Sequence, residues 1–261
     1  GPRRPGRPGR GEPCSPAGIT PPSAGVDRAH QHDGSAMLAS VRRERQRAAA
    51  RAWHTAATFA DLCALGERFV RGELAFFPGW GSERLDEESL ALVPVLALCN
   101  RAGFLTVASQ PGRGSWRDAS GTLRASRAFL AGFAAPALSA SFEALREPGL
   151  LAWGRSPRAC RGRLALGLLD GQAVLSAGPS AGRAELSLFA PHLSETARRE
   201  LARQQFVWWI DLAWDARDDL WRMLTSLLAA PAAAVQKLDV MPHKACPAPY
   251  SPNDAPDHGH S

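Results

Sequence analysis

Apolar residues recur at helix or strand spacing only between about residue 53 and residue 230, which confines any core to that stretch. Residues 1–36 are rich in Pro, Gly and Arg without an apolar period, and 231–261 return to Pro, His and small polar residues. Such compositions bury too little surface to offset chain entropy, so both ends are expected to be disordered. The first methionine is Met37, and a natural start at or near it is the expectation for the tail. Met37–Thr55 reads as an Arg/Ala helix with a weak apolar stripe of Leu38, Val41, Ala48 and Ala52. Its 37–52 part is a basic lead-in to a globular body at 53–230.

Charge follows the same division. The net charge is +6, and residues 1–58 hold ten arginines against four acids, which accounts for all of it. The remaining 21 basic and 21 acidic residues cancel, so the body is neutral and the basic pI reports the N-terminal arm. Only Lys237 and Lys244 are lysines. With abundant Ala, Gly and Pro, this is the signature of GC-rich codons, so Arg content alone is weak evidence for phosphate binding.

Five widely spaced cysteines without a CxxC pair argue against a disulfide framework or a zinc site. Cys63 and Cys99 lie among apolar residues at helical spacing and read as buried, reduced thiols, which fits a cytoplasmic location. No segment reaches the roughly 18–20 apolar residues of a membrane span, and the Arg-rich start lacks the apolar run of a secretory signal.

Within the body, helix and strand patterns alternate. Thr58 with Asp61 forms a capping box ahead of Phe59, Leu62, Cys63, Phe69 and Val70, predicting a helix over 59–71 that Gly72 ends. Asp86, Glu87 and Glu88 open a second helix that Pro94 kinks or restarts and Gly103 ends. Phe104–Ala108 reads as a buried strand, Gln110–Arg113 as a turn, and the chain through Trp116 as a loop. Arg127–Phe133 is read as a strand, Ala137–Arg146 as a helix and Leu150–Trp153 as a short strand. Asp170-Gly171 predicts a hairpin between Leu164–Leu169 and Ala173–Ser176. A turn at Gly178–Gly182 and a strand at Glu185–Phe189 follow. Ser194 caps a helix to about Gln205, Phe206–Leu212 is the most regular strand, and Asp215 is placed as the cap of a last helix that Pro231 closes. Interleaved helices and strands predict an α+β (or α/β) layer architecture.

The stretch Leu96–Gly112, with Trp53, Thr58–Leu62, Gly72-Glu73-Leu74, Pro78-Gly79 and Asp86–Glu88 before it, resembles an uncharacterised actinobacterial (Streptomyces-type) domain family. The likeness is densest at Asn100–Thr106 and Ser109–Gly112, and continues at Arg127–Phe133 and Asp211–Leu220. It departs most over about 155–190. It implies a bacterial origin and a shared fold, and no activity.

Five residues are candidates for a ligand cleft. Ser109 and Gln110 follow a buried strand, where α/β sheets bind ligands, with Asn100 and Arg101 close in sequence. Asp211 ends the FVWWI strand. Its neighbours Asp215, Asp218 and Asp219 are better explained as helix-start acids. Turn chemistry is the competing account of Ser109 and Gln110. Eight tryptophans against one tyrosine, four of them at Trp208, Trp209, Trp214 and Trp221, read first as core packing. His192, His243, Cys246, His258 and His260 match no zinc spacing, so no metal site is assigned. The sequence names no cofactor. Its leading reading is an interaction or accessory module, with a protein partner. The alternatives are a small-ligand enzyme with a cleft between the Ser109–Gln110 turn and Asp211, and nucleic-acid binding through the basic arm. Nucleic acid is not expected on the core.

Overall fold

The computed structural model describes residues 28–78, 83–139, 150–153, 164–177, 181–215 and 218–229. The chain divides into two units, Gly1–Val41 and Arg42–Ser261. The described part of the first is one stretch of helix on which Met37, Leu38 and Val41 are exposed. That helix, α1, runs Arg28–Thr55, so its start lies nine residues ahead of the expected Met37. The Pro-rich composition ends before Arg28, and no proline interrupts the run to Thr55.

The second unit holds both sheets and the remaining helices. The helices are α2 (Phe59–Val70), α3 (Val93–Arg101), α4 (Ala181–Phe189), α5 (Glu195–Ala202) and α6 (Asp219–Ala229). The strands are β1 (Phe104–Gln110), β2 (Arg113–Arg117), β3 (Leu123–Ser126), β4 (Phe129–Ala134), β5 (Leu150–Trp153), β6 (Leu164–Leu169), β7 (Gln172–Ala177) and β8 (Gln205–Asp211). They form two antiparallel four-stranded sheets, ordered β1-β4-β8-β5 and β2-β3-β6-β7. The class is α+β.

Local signals account for most boundaries. The Thr58–Asp61 box is closed in both directions. Pro94 occupies the first turn of α3, so the acidic segment before it winds as a separate 3-10 turn, Glu87–Leu92. Asp170 and Gly171 take positive φ of 46° and 78° and close the β6–β7 hairpin as the two-residue turn demands.

The helices pack on the first sheet: α2 and α3 against each other and against β1, α4 and α6 against β8. A chain of aromatic rings ties the layers together. It runs from Trp53 of α1 to Phe77, Phe189, Phe133, Phe206, Trp208 and Phe129, with neighbouring centroids 5.0–6.1 Å apart. The second sheet has a much smaller core of Ala125, Ala165 and Leu168, with Trp214 packed on it.

Four expectations are corrected. The loop expected through Trp116 is strand β2, and β3 follows it; their polar sequences pair because one face is left to water. Glu185–Phe189 is not a strand: it is the second half of α4. Glu185, Leu186 and Phe189 sit at helical spacing, and Gly182 lets the helix approach Phe206 closely enough that a Cβ there would lie 2.5 Å away. Asp215 does not cap α6, which begins at Asp219; the Asp218 carbonyl accepts the first helical hydrogen bond, from Arg222 at 2.8 Å. Ser109 and Gln110 lie in β1 and not in a turn after it. Of the helix expected at Ala137–Arg146 only the start, through Ser139, is described; 140–149, 154–163 and 230–261 lie outside the described residues.

Candidate functional site at the bend between the sheets

β1 to β4 form one hairpin that crosses from the first sheet to the second and back. Gln110 pairs with Phe129 and Arg113 with Ser126, three residues further on each strand, so the register runs unbroken through the bend. The outbound crossing is Pro111-Gly112 and the return is Arg127-Ala128. Gly112, at φ +83°, lies against Ala128.

Three of the five candidate residues reach this bend. Ser109 and Gln110, both half-buried, stand opposite Leu130 and Phe129. Phe129 in turn pairs with Ile210, so Gln110 and Asp211 share one end of the first sheet with β4 between them, about 10 Å apart across two strand spacings. Asp211 is buried. Its amide donates to the Ala128 carbonyl at 2.9 Å, and its Oδ1 accepts from the Ala213 amide at 2.9 Å.

The structure adds two residues there that sequence reasoning missed. Arg127 is 7% exposed; its amide donates to the Leu166 carbonyl and its Nη1 to the Ala165 carbonyl, both at 2.9 Å. Its guanidinium lies 4.2 Å from the Trp214 ring centre, a cation–π contact. Arg127 thus holds β6 of the second sheet against the return crossing. The only signal for it was a lone arginine opening an apolar strand. Trp221 of α6 closes the outbound crossing, its Nε1 donating to the Pro111 carbonyl at 3.1 Å. The bend therefore gathers a buried cation, a buried carboxylate and two indoles.

Asn100 and Arg101 are not part of it. Asn100 is fully buried, and its amide donates to the Leu96 carbonyl and to Thr106 Oγ1, both at 2.8 Å. Its Oδ1 accepts from the Thr106 amide at 3.2 Å. That side chain joins α3 to β1. Arg101 is exposed and bonds Glu67 Oε1 at 2.6 Å. Arg101 and then Arg71 hold the Glu67 carboxyl below its ordinary value, against the opposing effect of burial.

Chemically the bend offers charge and hydrogen bonds. Among the described residues, no three His, Cys, Asp or Glu gather to hold a metal ion. Of the Asp cluster after β8, Asp219 bonds Arg222 and Asp218 starts α6. His192 stacks edge-on against Phe76 at 5.0 Å; His243, Cys246, His258 and His260 lie outside the described residues. Trp208 and Trp209 are both buried. No described helix is long and apolar enough to cross a membrane.

Two small antiparallel sheets sharing a bent hairpin, with helices on the larger one, define an α+β domain. A family model described as Domain of unknown function (DUF6919) matches residues 48–231, from the second half of α1 to just past α6. The chain belongs to that family. No curated protein matches it.

Proposed function

We propose that this domain is an interaction module whose binding surface is carried on α1. The supporting observation is how its arginines are matched. Eight on the body, from Arg68 to Arg222, hold carboxylates. Among the described side chains of α1, Arg42 alone does so, with Glu83. A surface that leaves its cations unneutralised favours an anionic partner. The reading also places the domain in a reducing bacterial cytoplasm, of actinobacterial type, where the buried thiols of Cys63 and Cys99 stay free. It assigns 53–230 to the globular body, with 37–52 as its basic lead-in helix.

A small-ligand enzyme is the second reading, and the placement of Ser109, Gln110, Arg127 and Asp211 at the bend favours it. Thermal-shift profiling of the full chain separates the two. The interaction reading expects polyanions to raise Tm and small metabolites to leave it unchanged. A metabolite whose shift survives loss of the α1 arginines but disappears in Gln110→Ala would replace it with the cleft.

A further inference from the structure

One face of α1 in the second unit is built as a row of cations. Ala49 and Trp53 turn toward the core, while Arg43, Arg47 and Arg51 follow one another at i, i+4 on the solvent side, all exposed. None of the three holds a carboxylate among the described residues. Like charges at this spacing repel across each helical turn. The same chain relieves such crowding elsewhere: on α5, Glu195 holds Arg198 and Arg199, and Glu200 holds Arg203. Arginine-rich codons would enrich both helices alike; the difference is one of pairing, since Glu44, the acid that stands among these arginines, holds none of the three among the described residues.

We propose that the Arg43–Arg47–Arg51 row docks on the phosphate backbone of a nucleic acid. This deepens the interaction reading and rests on it. Successive guanidinium groups rise about 6 Å along the helix, close to the axial rise of two phosphates on one strand at about 3.4 Å each. The row has no aromatic or large aliphatic anchor, which a protein interface needs at its centre. Backbone contact needs none, since counterion release supplies the affinity. The contact positions the domain without reading sequence.

The test is fluorescence anisotropy of the full chain on short duplex DNA, across about 50 to 200 mM salt. Arg43→Ala/Arg47→Ala/Arg51→Ala is expected to bind on the order of a hundredfold more weakly at about 0.1 M salt, with a log–log salt slope shallower by about 2.7. The corresponding triple Lys variant should keep the slope. Arg198→Ala/Arg199→Ala/Arg203→Ala removes the same formal charge from the body and should bind like the parent. Both sets of arginines are exposed, so an unchanged Tm verifies folding. Equal weakening by both Ala triples overturns the proposal, because net charge alone is then responsible. Absence of DNA binding overturns it too. Binding of polyglutamate by the same row without DNA overturns the nucleic-acid assignment while the interaction reading stands; binding of neither polymer removes both.

Discussion

Gly112 and Ala128 meet where the long hairpin bends, so closely that a Cβ on Gly112 would lie 2.7 Å from the Ala128 amide nitrogen and 2.8 Å from its Cβ. Both crossings between the sheets pass through this contact, and Arg127, Asp211 and Trp221 bond to the backbone around it. The second sheet has little core of its own. Its position depends on the bend and on Leu166 and Ala177, which join the main core.

Gly112→Ala should be costly. The residue is at φ +83°, and the new methyl group meets backbone atoms that cannot turn aside. Left-handed strain and overpacking together predict a loss of about 2–4 kcal/mol. Urea unfolding measures it; a change under about 0.5 kcal/mol, within the range of an ordinary surface substitution, would show that the bend opens freely.

Asn100 and Arg101 are adjacent and polar, yet their substitutions should differ sharply. Asn100→Ala leaves the Thr106 amide and the Leu96 carbonyl without the bonds they make to it, inside the core, at a predicted cost of about 2–4 kcal/mol. Arg101→Ala removes one exposed ion pair with Glu67, which water screens, and should leave Tm close to that of the parent. Thermal unfolding of the two variants side by side checks the contrast. Similar losses would mean that the Glu67 pair is doing more than an exposed contact can.

What could be read from the sequence was whatever local chemistry decides. The capping box at Thr58, the helix restart at Pro94, the Asp170-Gly171 turn and the strand at Phe206 each follow from neighbours in the chain. Strands β2 and β3 did not, because RGSWR and LRAS carry no apolar alternation and become strands only through pairing. The α4 segment, with Leu186, Leu188 and Phe189 among small residues, has enough apolar character to read as a strand; its place against Phe206 decides for helix. Among the candidates, Asn100 is chosen for its nearness in sequence to Ser109 and Gln110, and Asp211 for ending a strand; the structure buries both. Whether a buried polar group bonds its own fold or a ligand depends on partners far along the chain, such as Thr106 for Asn100 and Ala128 for Asp211.

Two carboxylates should give opposite pH signatures. Burial raises the Glu185 carboxyl above its ordinary 4.5, and its Oε2 has no hydrogen-bond partner among the described residues. Burial disfavours its charged form in the folded state, so the carboxylate opposes folding at higher pH; the penalty vanishes as pH falls below 4.5 and both states protonate. Glu185→Gln should therefore stabilise near neutral pH and become indifferent in acid. The Ser120 hydroxyl and then Arg124 lower Asp118 from 3.8 to about 2. Its contribution is present above 3.8 and disappears as pH falls toward 2, so Asp118→Asn should destabilise near neutral pH and match the parent in strong acid. Urea midpoints of both variants across this range decide the signs, and a parallel response would contradict one assignment.

The thiols report on how the molecule opens. Burial pushes both Cys63 of α2 and Cys99 of α3 up to about 12. At about pH 8 the native thiolate fraction is then on the order of one in ten thousand, so alkylation must proceed through opened states. In the opening-equilibrium regime, labelling at these two positions, followed by peptide mass spectrometry, should scale with the population of those states. α2 and α3 pack on β1, the strand that runs into the bend. Gly112→Ala should accordingly accelerate labelling of Cys63 and Cys99 by the factor its urea destabilisation predicts, about thirty- to a thousandfold for 2–4 kcal/mol. Labelling at the parent rate in that variant would show that the helix pair opens as a unit of its own, and the bend would then govern only the second sheet.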